Sequence, residues 1–137
     1  MPRNTPLANT APILLSVLRI VAAFLFMQHG AHKLFGVPGG AFHLIAPRQL
    51  PTLVPGLAGV IEFGGGLLLL LGLFSRPVAF VLSGEMAFAY FIAHFPRSHV
   101  FPLLNGGGLA VLFCFVFLYL SAAGPGPVSL DRALRRA

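Results

Sequence analysis

The sequence predicts an all-α membrane protein, a polytopic bundle of four antiparallel transmembrane helices. Hydrophobic residues make up 57% of the 137 residues and charged residues only 9%, whereas soluble domains carry about 25% charged residues. So few charges cannot cover a surface that faces water, and the mean hydropathy of +0.90 indicates that lipid surrounds most of the chain. Four apolar segments are long enough to cross a bilayer, and the length fits a single domain, residues 1–137.

Each apolar segment has close to the roughly 20 residues that a helix needs to span the hydrocarbon core. Pro77 suits the first turn of the third helix, where its missing N–H is no loss, and the run Gly124–Pro127 stops the fourth. Residues 123–137 then form a cytoplasmic tail. The longest loop, residues 35–52, has space for one helical turn at Ala41–Ala46 lying on the membrane; a re-entrant segment is the alternative. The predicted transmembrane helices are residues 13–34, 53–74, 77–95 and 103–122.

The positions of Lys and Arg predict the orientation, because these residues are retained on the cytoplasmic side of a membrane. Four crossings put five basic residues on the side of the termini and three on the other. Both termini are therefore expected in the cytoplasm, with the protein in a bacterial inner membrane. The first segment is long and contains Arg19, which favours a retained anchor over a cleaved signal peptide. The two sets are Arg3, Arg76, Arg132, Arg135 and Arg136 on the terminal side, and Lys33, Arg48 and Arg97 on the other.

Charge, cysteine content and glycine runs argue against several other functions. The net charge is +6, but the basic residues are scattered singly among apolar runs apart from a short C-terminal cluster, so no nucleic-acid partner is expected. A single cysteine, Cys114, allows no intrachain disulfide and no CxxC motif. The runs Gly64–Gly66 and Gly106–Gly108 lack the Lys and Ser/Thr of a P-loop. They are interpreted as positions where helices pack closely.

Polar residues inside the apolar segments are the candidate functional residues. An ionisable side chain at mid-membrane costs at least about 2.5–3.5 kcal/mol by insertion scales, so it is expected to face the bundle interior and find a partner. Arg19, His29 and Lys33 lie on one face of the first helix. Gly59 and Gly66 flank the carboxylate in the second helix and would let another helix approach it. The predicted polar interior site comprises Arg19, His29, Lys33, Glu62, Glu85 and Asn105.

Estimated depths in the membrane predict which of these groups meet. Counted from Pro12 and Pro77, Arg19 and Glu85 differ in height by only a few ångströms at about 1.5 Å per residue, which predicts an ion pair between them. Two further expectations are a hydrogen bond between His29 and Glu62, direct or through water, and a Lys33 side chain that extends to the outer surface. Such pairs either hold the helices together or line a cavity for a small molecule or a proton route; the sequence leaves both interpretations open.

The five histidines all fall towards the predicted outer side. His29 and His32 have the i, i+3 spacing that suits two ligands on one helix, and imidazole binds zinc, copper or haem iron. No cysteine or carboxylate stands at a fixed spacing nearby, so no metal site is predicted and a haem or metal cofactor is disfavoured. The weak candidates as ligands are His29, His32 and His94; the remaining two histidines are His43 and His99.

Five short stretches, in order along nearly the whole chain, resemble the DoxX family of small membrane proteins. The first, residues 29–36, is similar to the HGxxKLFG stretch of that family. The sequence departs from the family pattern at Gly108, where an acidic residue often follows Asn-Gly-Gly, and at Val128, where Trp often precedes Ser-Leu-Asp. The five stretches are residues 29–36, 62–76, 84–96, 105–107 and 124–131.

The resemblance implies a four-helix membrane bundle and a loose functional assignment. Some members of the family resemble or form subunits of quinone-linked oxidoreductases, including thiosulfate:quinone oxidoreductase, and others act in redox stress responses through partner proteins. The leading hypothesis is therefore a membrane subunit of a quinone-linked or thiol/sulfur-related redox system. It would supply a quinone pocket and protons through His29, Glu62 and Glu85, while a redox protein partner supplies electrons.

Other functional classes stay open at this point. The chain has no complete catalytic motif and no motif for a flavin, nicotinamide or iron–sulfur cofactor, so the sequence does not show whether it is catalytic. A non-enzymatic accessory or assembly protein that binds a membrane or periplasmic partner is the main alternative. A small transporter, a channel built by homo-oligomerisation and metal handling through the outer histidines are the others.

Overall fold

The computed structural model describes residues 6–40, 53–97 and 100–136. Every regular element in these ranges is helical, which confirms the predicted all-α class. The predicted turn at Ala41–Ala46, together with His43 and His99, lies outside the described residues. The elements are α1 (Pro6–Phe35), α2 (Leu53–Leu71), α3 (Ser75–Ala89) with a π-helical turn (Tyr90–His94) that continues it, α4 (Pro102–Asn105), α5 (Gly108–Ala123) and α6 (Leu130–Arg136).

Two helices of the described chain are long and apolar enough to cross a membrane, Ala8–Phe35 with 28 residues and Ser75–His94 with 20. Two shorter apolar helices accompany them, Gly56–Leu71 and Gly108–Ala123. Many apolar side chains remain exposed along these helices, among them Phe80, at 66% of its surface. An apolar outer surface of this extent is typical of a protein whose surroundings are lipid.

The helix boundaries differ from the predicted segments where local geometry decides them. α1 begins at Pro6, so Pro12 lies inside the helix rather than in front of it. α2 ends at Leu71 because Gly72 and Phe74 both adopt left-handed conformations, with φ of 71° and 51°. The fourth apolar segment is interrupted at Gly106, whose φ is 74°, so that a short α4 precedes α5.

Neighbouring helices pack antiparallel, and glycines bring them together. Gly30 of α1 lies against the backbone of Phe63 in α2, and Gly66 lies against Met27. Later residues of α1 thus meet earlier residues of α2. The same pattern relates α3 to α5, where the Ser83 hydroxyl donates to the carbonyl oxygen of Cys114 at 2.8 Å. The interpretation of the glycine runs as packing positions is confirmed for Gly66, and it is wrong for Gly64 and Gly108, where an added Cβ atom would meet nothing within 4 Å. Gly59 also contacts α1, through Lys33 and Leu34.

The tail folds back over the end of the molecule where α2 turns into α3. The backbone N–H of Val128 donates to the Ser16 hydroxyl at 3.1 Å, and the backbone N–H of Asp131 donates to the carbonyl of Gly72 at 2.9 Å. The Arg76 guanidinium, from the first turn of α3, donates to the C-terminal carbonyls of α5 at Ser121 and Ala122. One end of the helices is thereby closed by chain segments far apart in sequence.

Candidate functional site

A cavity of about 310 Å³ opens between α1, α2, α3 with its π-helical turn, and α5, at the end of the molecule away from the tail. Cavities of this size fall at the lower end of the range for small-molecule sites. Its wall is mainly apolar, with Phe26 and Phe113 in edge-to-face contact at 5.3 Å between ring centroids. Four polar side chains interrupt that wall: His29, Lys33, Glu62 and His94.

The centre of the site is an ion pair between α1 and α2. Lys33 Nζ lies 2.5 Å from Glu62 Oε1, and the side chain of Glu62 is only 3% exposed whereas that of Lys33 is 33% exposed. The prediction that Lys33 extends to the outer surface is wrong, because antiparallel packing at Gly59 places it opposite the carboxylate. No direct hydrogen bond joins His29 to Glu62; the imidazole is exposed and faces Phe113 at 6.2 Å between ring centroids.

Glu85 joins this pair from α3. The charges that act on it are those of Glu62 and Lys33, so the two carboxyl groups lie close together. In addition, Glu62 Oε2 and Glu85 Oε2 are both buried without a hydrogen-bond partner. Buried polar atoms are normally bonded, and an unsatisfied one needs an explanation. One ammonium group faces two carboxyl groups, so the cluster is neutral only when one carboxyl group carries a proton.

Arg19 does not belong to this cluster, and the predicted Arg19–Glu85 ion pair is wrong. Its guanidinium, 1% exposed, donates to the carbonyl of Leu69 at 3.2 Å and to the carbonyl of Val128 at 2.5 Å. The error comes from the estimated depths, since α1 starts before Pro12 and Arg19 lies level with the C-terminal end of α2. Glu85 lies ten residues into α3, about 15 Å from that end.

Asn105 holds the break between α4 and α5 against the π-helical turn. Its amide donates to the Tyr90 hydroxyl at 3.3 Å, and its side-chain oxygen accepts the N–H of Gly107 at 2.8 Å. His94 Nδ1 lies 3.3 Å from the Asn105 carbonyl oxygen. Asn105 therefore positions the wall that carries His94. Sequence analysis missed Tyr90, although it precedes His94 by four residues and so shares its helical face.

The histidines do not form a metal centre in the described part of the chain. His32 Nδ1 lies 2.9 Å from the carbonyl oxygen of Pro38, whereas His29 and His94 line the cavity. Within residues 6–40, 53–97 and 100–136, no three His, Cys, Asp or Glu side chains are close enough together to hold a metal ion.

Comparison with known proteins decides the family. The DoxX family model matches residues 14–95, more than half of the chain. The chain belongs to the DoxX family. An uncharacterized protein of Haemophilus influenzae is 44% identical over 126 residues, covering 88% of this chain and 90% of the relative.

Two further relatives come from Escherichia coli. The inner membrane protein YphA is 29% identical over 126 residues, covering 88% of this chain and 90% of its own length. The inner membrane protein YqjF is 31% identical over 121 residues, covering 88% of this chain and 91% of its own length. No solved structure matches the chain.

The two departures from the DoxX pattern lie after the matched residues, 14–95. Gly108 is exposed at the start of α5, and a Cβ atom added there would meet nothing within 4 Å. The side chain of Val128 is 57% exposed, and it is the backbone of this residue that binds Ser16 and Arg19.

Proposed function

We propose that this DoxX-family membrane protein is the membrane subunit of a redox system and binds a quinone, or a comparably small redox-active molecule, in the cavity beside Lys33 and Glu62. The observation that carries the proposal is the composition of this cavity. The aromatic rings of Phe26 and Phe113 line it together with the Lys33–Glu62 ion pair, and Glu85 of α3 lies close to that pair. The Oε2 atoms of Glu62 and Glu85 are buried without a hydrogen-bond partner.

The proposal includes a topology of four crossings with both termini in the cytoplasm. α2 has 19 residues and spans about 28 Å at 1.5 Å per residue, close to the thickness of the hydrocarbon core. α5 is shorter, but α4 precedes it. The excess of Lys and Arg supports the orientation, and similarity to the inner membrane proteins YphA and YqjF supports an inner membrane location.

The site chemistry fits the needs of a quinone. A flat, apolar ring packs against Phe26 and Phe113, while a carbonyl oxygen accepts a hydrogen bond from Lys33 or His29. Reduction of a quinone to a quinol takes up two electrons and two protons, and Glu62 and Glu85 are positioned to hold and deliver protons. The electrons come from a partner protein, because the chain carries no motif for an electron-transfer cofactor.

The test uses the full chain purified in mild detergent. An organic extract is analysed by mass spectrometry for quinone. Binding of an added short-chain ubiquinone is measured by isothermal titration calorimetry, because the chain has no tryptophan whose fluorescence could report it. We expect binding in the micromolar range and a loss of about tenfold in Glu62→Gln and Glu85→Gln, because each change alters the charges that hold the Lys33 ammonium beside the cavity.

The matched control is Tyr119→Phe, because Tyr119 is 57% exposed on the outer face of α5 and its change should leave the affinity as it is. If no quinone co-purifies and added quinone neither binds nor shifts melting, the redox proposal fails. The Lys33–Glu62 pair then only locks α1 to α2, as expected for an accessory or assembly protein.

A further inference from the structure

A second cavity lies at the opposite end of the molecule, where the tail covers the turn between α2 and α3. Its volume is about 410 Å³. Four of its lining side chains are charged, three of them positive. These are Arg76, Asp131, Arg132 and Arg135.

The charges of this cavity do not cancel. Asp131 directs both carboxylate oxygens at the start of α3, where they accept the N–H groups of Phe74 and Ser75. Arg76 is fixed by the carbonyls that end α5. Arg132 and Arg135 are exposed on α6, so their guanidinium groups are available to a ligand. With three positive groups and one negative group, the cavity suits an anion.

Apolar side chains continue directly from the cavity along the outside of α3. Phe74 lines the cavity and is 62% exposed, although it stands in a left-handed turn where a large apolar side chain is unusual. Pro77 also lines the cavity, and Val81 and Phe88 follow it at helical spacing as exposed residues. A basic cavity that continues into an apolar surface matches a ligand with an anionic head and hydrocarbon chains.

We infer that this cavity binds the phosphate headgroup of an anionic phospholipid, with its acyl chains lying along α3. Arg132 and Arg135 bind the phosphate oxygens, and Arg76 supplies a fixed positive charge behind them. A free phosphate would use the same guanidinium groups but would gain nothing from Phe74 and Pro77. The inference rests on the proposed four-crossing topology, which places this end at the cytoplasmic interface, where basic residues attract anionic lipids. It does not depend on quinone binding.

The first experiment needs no variant. The full chain is extracted in mild detergent, and the lipids that co-purify are compared by mass spectrometry with those of the membrane. We expect enrichment of phosphatidylglycerol over zwitterionic lipid. Equal proportions in the protein sample and the membrane would overturn the inference.

The second experiment measures phosphatidylglycerol binding by native mass spectrometry. We expect Arg132→Gln and Arg135→Gln each to weaken binding about fivefold, while Arg97→Gln, which removes the same charge at the other end of the helices, leaves it unchanged. An equal loss in the Arg97 variant, or no loss in the α6 variants, contradicts the inference. Displacement of the lipid by an equal concentration of inorganic phosphate contradicts it too, since the site would then take free anions.

The two proposals separate cleanly in these assays. Glu62→Gln should lose quinone and keep phosphatidylglycerol, whereas Arg132→Gln should do the reverse. The inference requires the cavity beside α6 to bind lipid independently of Glu62. Loss of phosphatidylglycerol binding in the Glu62 variant would therefore contradict it.

Discussion

Asp131 caps a helix that begins 56 residues before it in the chain, its Oδ2 accepting the N–H of Ser75 at 2.9 Å. Oδ1 accepts the neighbouring N–H of Phe74 at 2.8 Å, and Phe74 itself provides no side-chain cap. We expect Asp131→Ala to lower the free energy of unfolding by about 1 kcal/mol, the usual cost of losing an N-terminal cap. Thermal unfolding in mild detergent measures it, and Arg132→Ala, one residue on, should cost less.

The same carboxylate predicts a pH dependence. Burial acts to raise the pKa of Asp131, but the hydrogen bonds from Ser75 and Phe74 and the charge of Arg135 outweigh it, and the pKa is lowered. Its stabilising contribution is therefore complete above the unfolded value of about 3.9 and is lost as the pH falls through the folded value. The difference in melting temperature between wild type and Asp131→Asn should be constant from about pH 5 to 8 and shrink in acid. A difference that grows in acid would refute this assignment.

The hydrogen bond from Arg19 to the tail should determine how firmly the tail is held against the helices. Because its guanidinium binds the Val128 carbonyl, Arg19→Gln should speed hydrogen exchange at the N–H groups of Val128 and Asp131 by about tenfold. Hydrogen–deuterium exchange with mass spectrometry measures this. Glu85→Gln is the control and should leave tail exchange at the wild-type rate; faster exchange there would mean that Arg19 and Glu85 are coupled after all.

The ion pair in the cavity predicts a non-additive response. Lys33→Met leaves the buried Glu62 without its counter-charge and should cost on the order of 3 kcal/mol. The double variant Lys33→Met/Glu62→Gln removes both charges and should recover most of that loss. A complete set of unfolding measurements for the single and double variants tests the coupling, and strictly additive losses would show that the two side chains do not interact.

Close packing of α1 on α2 predicts opposite effects at two glycines. A Cβ atom at Gly30 would meet the Cα atom of Phe63 at 2.8 Å, and backbone cannot move aside as a side chain can. Gly30→Ala should therefore destabilise the protein by about 1–3 kcal/mol. Gly64→Ala is the matched control, because nothing lies within 4 Å of its added Cβ atom. It should be neutral or stabilise by up to about 1 kcal/mol; equal losses in both variants would refute the packing argument.

The sequence predicts which residues share one face of a single helix, but it does not predict the relative heights of residues that belong to different helices. The face that Glu62 shares with Gly59 and Gly66 follows from 3.6-residue spacing alone, and α1 does pack there. Which side chains of different helices meet depends instead on where each helix starts. Counting heights from Pro12 as a helix start pairs Arg19 with Glu85, and nothing in the local sequence indicates that a tail carbonyl 109 residues away would reach Arg19.

The interruption at Gly106 was hidden for a similar reason. Within the segment 103–122, Asn105 and the run Gly106–Gly108 stand near the start of the apolar residues, and such glycines are equally typical of closely packed helices. The break depends on a left-handed glycine and on the Asn105 side chain bonding to Tyr90 and to the N–H of Gly107. A tertiary contact of this kind becomes visible only when α3 and α5 are placed side by side.

The docking of the tail on Arg19 has a consequence for biosynthesis. In the proposed topology, α1 leaves the ribosome and enters the bilayer long before Val128 is made, so during insertion the guanidinium has no access to the carbonyl that it finally binds. Until then it must stay hydrated at the interface or be shielded by the insertion machinery. The helices can therefore enter the membrane in order, but this end of the protein is sealed only after translation has passed residue 131.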